Sequence, residues 1–133
     1  MSDHQMPATL YYHALVGGFP RLEGKTIAIT GCSSGMGLIL ARTRGTLGAR
    51  VIMLNRASER SKSALADVQK TGAEVIGVEC DLTRFPAVRR AGAELRALLA
   101  DTGCDVLCNN AGVMGLKDYA TDDGFDIQMQ TNH

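Results

Sequence analysis

Short runs of branched apolar residues alternate with longer amphipathic stretches along most of the chain. This alternation is typical of repeated strand and helix units that build a parallel sheet with helices on both faces. We therefore predict an α/β fold with a doubly wound, three-layer αβα arrangement. The predicted strands lie near residues 25–30, 51–55, 74–80 and 105–108, and the predicted helices at 37–47, 58–71, 86–100 and after Thr121.

Local signals mark the ends and interiors of these helices. Ser58 is the predicted N-cap of the second helix, and Gly72 follows its C-terminus. Gly45 lies inside the first helix, where a glycine costs about 0.5–1 kcal/mol relative to alanine unless close packing requires it. We expect Asp122 and Asp123 to lie in the first turn of the last helix, where carboxylates interact favourably with the helix dipole.

The pattern begins only after the N-terminal segment. Residues 1–21 contain Pro7, Pro20 and two glycines, so we predict a loosely held arm there. Residues 22–133 are predicted to form one domain. The whole chain has 133 residues and 45% hydrophobic residues, which suffices for a single core.

The charge pattern argues against several kinds of partner. Fourteen basic and fourteen acidic residues are interspersed and give a formal net charge of zero, whereas nucleic acids and membrane surfaces favour a basic excess on one face. No apolar run approaches the roughly 20 residues of a transmembrane helix. The N-terminus lacks the basic region of a signal or transit peptide. We therefore expect a cytoplasmic protein with no nucleic-acid partner and no membrane span.

The cysteines Cys32, Cys80, Cys104 and Cys108 are consistent with a reducing compartment. The nearest pair, Cys104 and Cys108, is more widely spaced than the Cys-x-x-Cys pair usual in zinc sites. Disulfides are uncommon in proteins without a secretory signal. We therefore predict buried thiols rather than a metal site or disulfides.

A glycine-rich turn follows the first predicted strand. The sequence from Thr30 to Gly37 reads Thr-Gly-Cys-Ser-Ser-Gly-Met-Gly. Its glycines let the backbone turn sharply, approach a pyrophosphate and direct helix amides at negative charge. The spacing Gly-x-x-x-Gly-x-Gly differs from the more general Gly-x-Gly-x-x-Gly fingerprint, so this turn alone does not establish a nucleotide site.

Three further motifs follow later in the chain. Asp81-Leu82 closes the third strand run, Asn109-Asn110-Ala111-Gly112 follows the fourth, and residues 121–133 read Thr-Asp-Asp-Gly-Phe-Asp-Ile-Gln-Met-Gln-Thr-Asn-His. In this order the four motifs resemble the short-chain dehydrogenase/reductase family, and the last resembles its retinol-dehydrogenase-like branch. The resemblance begins near residue 22 and continues to residue 133. It implies a Rossmann-type parallel sheet, incomplete here with about four strands, that binds a nicotinamide dinucleotide.

The resemblance also implies which residues contact the dinucleotide. Asn132 matches a catalytic position of the family, where the asparagine helps to hold a water of the proton relay. Local structure offers alternatives, because Asp81 could form an Asx turn and residues 109–112 a simple turn after a strand. The implied contacts are Gly31, Ser33, Ser34, Gly35, Met36 and Gly37 at the phosphates, Asp81 and Leu82 at the adenine, and Asn109, Ala111 and Gly112 at the nicotinamide-side ribose.

The end of the second predicted strand bears on cofactor preference. A site for NAD(H) usually places an acid there, which accepts hydrogen bonds from ribose hydroxyls. This chain has Asn55 and Arg56 instead, and Arg56 offers a planar cation to a 2′-phosphate. We therefore predict NADP(H) over NAD(H). The alternative is that Arg56 is a solvated surface charge.

The family's catalytic Tyr-x-x-x-Lys pair has no match in these 133 residues, because Tyr11, Tyr12 and Tyr119 are not followed by lysine at the fourth position. We therefore expect the cofactor-binding part of an oxidoreductase of small apolar carbonyls or alcohols, inactive by itself. The implied strand order 3-2-1-4 leaves the fourth strand at an edge, which favours pairing with another chain, including a second copy.

Two other functions stay open. A non-catalytic dinucleotide-binding or regulatory module would bind the cofactor without turnover. A methyltransferase-like domain uses a similar sheet and glycine turn, but it also normally has an acid at the end of the second strand. The pair Asn55 and Arg56 counts against it.

Overall fold

The computed structural model describes residues 11–133 of the chain. Its strands are β1 at Thr26–Thr30, β2 at Arg50–Asn55, β3 at Val75–Glu79 and β4 at Val106–Cys108. They form one parallel sheet in the order β3-β2-β1-β4. This arrangement confirms the predicted fold class and strand order.

Within residues 11–133, five helices accompany the sheet. The helices α2, α3 and α4 begin and end within two residues of their predicted positions, whereas α1 was not predicted. None of the five is long and apolar enough to cross a membrane. The helices are α1 at Tyr12–Gly17, α2 at Gly35–Thr46, α3 at Glu59–Gln69, α4 at Phe85–Leu98 and α5 at Ile127–Asn132.

Helices pack on both faces of the sheet. Successive side chains of a strand point to opposite faces, so neighbouring residues enter different halves of the core. One face buries Ile29 with Ala41 of α2 and Val68 of α3. The other face buries Ile52 with Ala91 of α4. The sheet is therefore doubly wound, with a layer of helices on each side.

Ser58 is the N-cap of α3, as predicted. Its Oγ accepts a hydrogen bond from Ser61 N at 3.0 Å, and Ser58 N donates to Ser61 Oγ at 3.1 Å. This reciprocal capping box satisfies two groups that cannot bond within the helix. Gly72 lies beyond the C-terminus of α3 with a φ of 83°, a conformation that favours glycine.

The last helix starts later than predicted. α5 begins at Ile127 behind the N-cap Asp126, whose Oδ1 accepts from Gln128 N at 3.0 Å. The two aspartates predicted in its first turn precede the helix. Asp123 instead accepts from Phe85 N at 2.7 Å, at the N-terminus of α4. The prediction was wrong because a carboxylate can bond any free helix amide that is near in space.

Close packing explains the glycine inside α2. A Cβ at Gly45 would lie 2.7 Å from Thr71 Oγ1 and 3.5 Å from Ala73 Cβ. Gly45 is therefore required because the segment after α3 packs against α2 without space for a side chain.

Part of the predicted N-terminal arm is helical. Residues 1–10 lie outside the described residues, and α1 lies in the rest of the arm. The oxygens Tyr12 Oη and Thr43 Oγ1 are 2.6 Å apart, within hydrogen-bond distance. This contact attaches α1 to α2. The division of the chain between residues 21 and 22 stays a prediction.

β4 lies at an edge of the sheet, where it pairs with β1 alone. Its apolar residues Val106 and Leu107 are 48% and 55% exposed. Exposed apolar side chains on an edge strand favour association with further protein surface.

Candidate functional site

The turn between β1 and α2 packs closely against the loop that follows β4. Gly31 has a φ of 65°, and a Cβ there would lie 2.6 Å from Ala111 Cα. A Cβ at Gly37 would overlap the carbonyl of Gly31 and would lie 2.5 Å from Asn110 Nδ2. Both positions therefore require glycine, because two backbone segments meet without space for a side chain.

Asn110 holds these two segments together. Its Nδ2 donates to Thr30 O at 3.1 Å and to Gly31 O at 3.0 Å. Thr30 Oγ1 in turn accepts from Ala111 N at 3.0 Å. The family resemblance pointed to Asn109, which is exposed. The pair of adjacent asparagines carried the signal, but only the structure shows which of the two faces the turn.

The second half of the turn presents unpaired amides. The backbone amides of residues 33–37 donate to no acceptor within residues 11–133. Ser34 is the N-cap of α2, and its side chain makes no capping hydrogen bond. Unpaired amides at the start of a helix attract anions. The turn therefore fits a phosphate group.

The end of β2 is bonded to the first half of the turn. Gly31 N donates to Leu54 O at 3.0 Å, and Cys32 N donates to Asn55 Oδ1 at 2.8 Å. Asn55 Nδ2 also lies 3.5 Å from Cys32 Sγ. Burial raises the pKa of the Cys32 thiol to about 11. Cys32 is therefore an uncharged part of the core.

These elements border one open cleft of about 1080 Å³. It lies at the carboxyl ends of the strands, where open parallel sheets bind ligands. Three predicted residues, Gly35, Asn109 and Asn132, are not among those that line it. The cleft brings together the other predicted residues, which are Gly31, Ser33, Ser34, Met36, Gly37, Asn55, Arg56, Asp81, Leu82, Ala111 and Gly112.

Two cations border the cleft beside β2. Arg56 and Arg60 are exposed, and both line the cleft. Neither forms an ion pair within residues 11–133. Free guanidinium groups bind phosphate through paired hydrogen bonds. Arg60 was not among the predicted site residues, although its spacing of four residues from Arg56 was visible in the sequence.

Asp81 forms the Asx-type turn that the sequence offered as an alternative. Its Oδ1 accepts from Thr83 N at 3.0 Å and from Thr83 Oγ1 at 2.7 Å. Its other carboxylate oxygen has no hydrogen-bond partner within the described part of the chain. Leu82 packs partly against the core beneath α4. One oxygen of Asp81 is therefore available to a ligand in the cleft.

α5 meets the cleft near the loop after β4. Asn132 forms hydrogen bonds with the backbone of Val113, which lines the cleft. Thr131 also lines the cleft, and its Oγ1 is buried with no hydrogen-bond partner in residues 11–133.

The cysteines are only partly as predicted. Cys32 and Cys80 are buried, Cys108 is half-buried, and Cys104 is exposed. The expectation of a buried thiol was wrong for Cys104 because it lies in the loop before an edge strand. No group of three or more candidate metal ligands occurs in the part of the chain that the structure describes.

The sequence and the fold are both similar to those of known proteins. The model of the short-chain dehydrogenase family matches residues 25–133. Retinol dehydrogenase 14 of Mus musculus is 37% identical in an alignment 130 residues long, and the aligned part covers 88% of this chain and 38% of that protein. The chain therefore spans about two fifths of the length of such curated relatives.

Solved structures agree with this comparison. An uncharacterised protein from Mycobacterium paratuberculosis is 35% identical with a TM-score of 0.75, over 89% of this chain and 41% of that one. A metagenomic short-chain oxidoreductase in complex with NADP is 39% identical with a TM-score of 0.60, over 69% of this chain and 41% of that one.

Proposed function

The chain belongs to the short-chain dehydrogenase/reductase family, and we propose that it is the cofactor-binding part of an oxidoreductase that uses NADP(H) in preference to NAD(H). The proposed reaction is hydride transfer between the nicotinamide and a small apolar carbonyl or alcohol. Family members are oxidoreductases that use nicotinamide dinucleotides. Activity of the whole protein is part of the proposal, because the chain covers only 38% of a relative such as retinol dehydrogenase 14.

The unpaired amides of residues 33–37 are the observation that carries this proposal. They belong to a turn whose glycines at 31 and 37 leave no room for a side chain. A pyrophosphate brought to this turn would accept hydrogen bonds from these amides and interact favourably with the N-terminus of α2. Small hydroxyls from Ser33 and Ser34 add further donors at the same place.

The other parts of the dinucleotide have matching residues along the cleft. The free carboxylate oxygen of Asp81 can accept from the adenine amino group, and Leu82 supplies an apolar wall. Ala111 and Gly112 would border the nicotinamide-side ribose. A bound NADP(H) supplies or accepts the hydride, and the residues of this chain bind and orient it.

Arg56 is the basis for preferring NADP(H). It lies directly after β2, and its guanidinium has no ion-pair partner within residues 11–133. Arg60 lines the same part of the cleft and provides a second positive charge. A 2′-phosphate near these two cations would form charge-assisted hydrogen bonds that NAD(H) cannot form.

The test is to measure the dissociation constants of NADPH and NADH by fluorescence titration. Arg56→Asp should reverse the ratio of the two constants, because an acid repels the 2′-phosphate and accepts from the free ribose hydroxyl. Arg96→Asp, in α4 and away from the cleft, is the matched control. An unchanged ratio in Arg56→Asp would overturn the preference, and failure of the unaltered chain to bind either dinucleotide would overturn the function.

A non-catalytic binding or regulatory module is the second candidate. Within the 133 residues no tyrosine is followed by lysine at the fourth position, so we expect the chain alone to bind NADPH without turnover. The exposed apolar residues of β4 favour association with another chain, for which a second copy is one candidate. NADPH oxidation by the purified chain with an apolar carbonyl would overturn the expected inactivity. The cytoplasmic location stays a prediction.

A further inference from the structure

Asn55 continues the hydrogen bonding between β1 and β2 beyond the last paired residues. The strand register ends at Thr30 and Leu54, and Gly31 N still reaches Leu54 O at 3.0 Å. One residue later the turn has left the sheet, and Cys32 N donates to Asn55 Oδ1 at 2.8 Å. A side-chain oxygen at the end of β2 therefore accepts from an amide of the turn that lies outside the strand ladder.

This hydrogen bond satisfies a donor that water does not reach. Cys32 is 0% exposed, so its amide depends on a protein acceptor, and an unpaired buried amide is strongly unfavourable. Asn55 Nδ2 lies 3.5 Å from Cys32 Sγ, so both polar ends of the Asn55 amide are directed at the same residue. The side chain of Asn55 is therefore held against the turn.

The backbone of Asn55 contacts the other side of the cleft. Its carbonyl accepts from Cys80 N at 2.9 Å, directly before Asp81. The turn between β1 and α2, residues 31–37, is called the phosphate turn from here on. Through its side chain and its carbonyl, Asn55 connects this phosphate turn to the end of β3.

The direction of the Asn55 side chain distinguishes two roles at the end of β2, which are support of the turn and selection between NADP(H) and NAD(H). The sequence places Asn55 where an acid binds ribose in sites for NAD(H). In the structure its amide faces Cys32, and Arg56 is the first exposed residue after it. We infer that Asn55 is a positioning residue for the phosphate turn, acting through Cys32, and that it does not select between NADP(H) and NAD(H). The inference rests on the dinucleotide site proposed above.

Two substitutions in the 133-residue chain test this role. Asn55→Ala removes the acceptor for Cys32 N, so the affinities for NADPH and NADH should both fall, each by roughly tenfold, with their ratio unchanged. Asn55→Asp keeps an oxygen for Cys32 N and adds a negative charge. It should leave the ratio within about twofold of the unaltered chain, whereas Arg56→Asp reverses it. Both constants are measured by fluorescence titration.

Hydrogen exchange followed by mass spectrometry gives a readout that does not need the cofactor. A peptide that contains Cys32 should exchange faster in Asn55→Ala and recover its protection in Asn55→Asp. A peptide from α4 serves as the reference for overall stability.

The outcomes separate this inference from the function on which it rests. If the unaltered chain binds neither dinucleotide, the proposed function and this inference both fail. If it binds and Asn55→Ala retains the same two affinities, only this inference fails. If Asn55→Ala does not fold, Asn55→Asp tests the inference alone. A change in the ratio of its NADPH and NADH dissociation constants that favours NADH would overturn the inference.

Discussion

Asn132 forms hydrogen bonds with both backbone polar groups of Val113. Its Oδ1 accepts from Val113 N at 2.8 Å, and its Nδ2 donates to Val113 O at 2.9 Å. A Cβ on the neighbouring Gly112 would lie 3.4 Å from Asn132 Oδ1. Asn132, which the sequence resemblance matches to a catalytic position of the family, thus connects α5 to the loop after β4, and this loop borders the cleft.

Replacing Asn132 should loosen that loop. Asn132→Ala removes both hydrogen bonds, so we expect the free energy of unfolding to fall by about 1 kcal/mol. Amide exchange in a peptide covering Val113 should become faster. Asn109→Ala is the matched control, because Asn109 is exposed and forms no hydrogen bond within the described residues. Equal exchange in the two variants would contradict the role of Asn132.

Two helical glycines should respond in opposite ways to alanine. Gly45→Ala places a methyl group 2.7 Å from Thr71 Oγ1, so we expect a loss of about 1 kcal/mol or more despite the better helix propensity. Gly92 in α4 has open space around it, and Gly92→Ala should raise stability by about 0.5–1 kcal/mol. Urea unfolding of both variants checks the signs. Stabilisation by Gly45→Ala would show that Thr71 moves aside.

Asp123 should make stability depend on acid pH. Hydrogen bonds from Phe85 N and from Gln130 Nε2 hold the pKa of its carboxyl below the ordinary value. The pKa of Asp123 is thus lower in the folded chain than in the unfolded chain, where it is about 4. The ionised carboxylate therefore contributes to the free energy of unfolding above about pH 4. This contribution is lost as the pH falls through the pKa of the folded chain.

The measurement is urea unfolding between about pH 2 and pH 7. We expect Asp123→Asn to be less stable than the unaltered chain near pH 7 and to approach it in acid. Asp122→Asn is the control, because the Asp122 side chain is 86% exposed. A difference between Asp123→Asn and the unaltered chain that stays constant with pH would argue against this account.

Two threonines near α5 form a second matched pair. Thr131 Oγ1 is buried and has no partner within residues 11–133, so Thr131→Val should leave stability unchanged or raise it by up to about 1 kcal/mol. Thr121 is also buried, but its Oγ1 is hydrogen-bonded to Gln130 Oε1. Thr121→Val should therefore destabilise the chain by about 1–3 kcal/mol. Thermal unfolding of the two variants is the check, and a clear loss in Thr131→Val would indicate a partner for its hydroxyl.

The strands of the sheet could be predicted from the sequence because each strand is marked by the residues within it. Four of the five residues from Thr26 to Thr30 are β-branched, the three central residues are apolar, and all five are buried. The N-cap Ser58 could likewise be predicted from local sequence, because its hydrogen-bond partner Ser61 is only three residues away. The order of the strands followed from the family resemblance of the turn motifs.

Contacts between distant segments could not be predicted in the same way. Asp123 resembles a first-turn residue of the nearest helix, but its partner Phe85 is 38 residues away. Asn109 and Asn110 have the same chemistry, and only the direction of the chain after β4 places the second one against the turn. The inward direction of Asn55 likewise depends on Cys32, 23 residues earlier.

The separation between the phosphate turn and Asn110 has a consequence for synthesis. The hydrogen bonds from Asn110 to Thr30 O and Gly31 O span 80 and 79 residues. During synthesis the turn leaves the ribosome well before Asn110 does, so the turn cannot form these hydrogen bonds until the later segment has been made. Contacts of such long range form late, because closing the intervening chain costs entropy. A dinucleotide bound as proposed above would therefore stabilise the finished fold, in which both segments are in place, rather than its first steps.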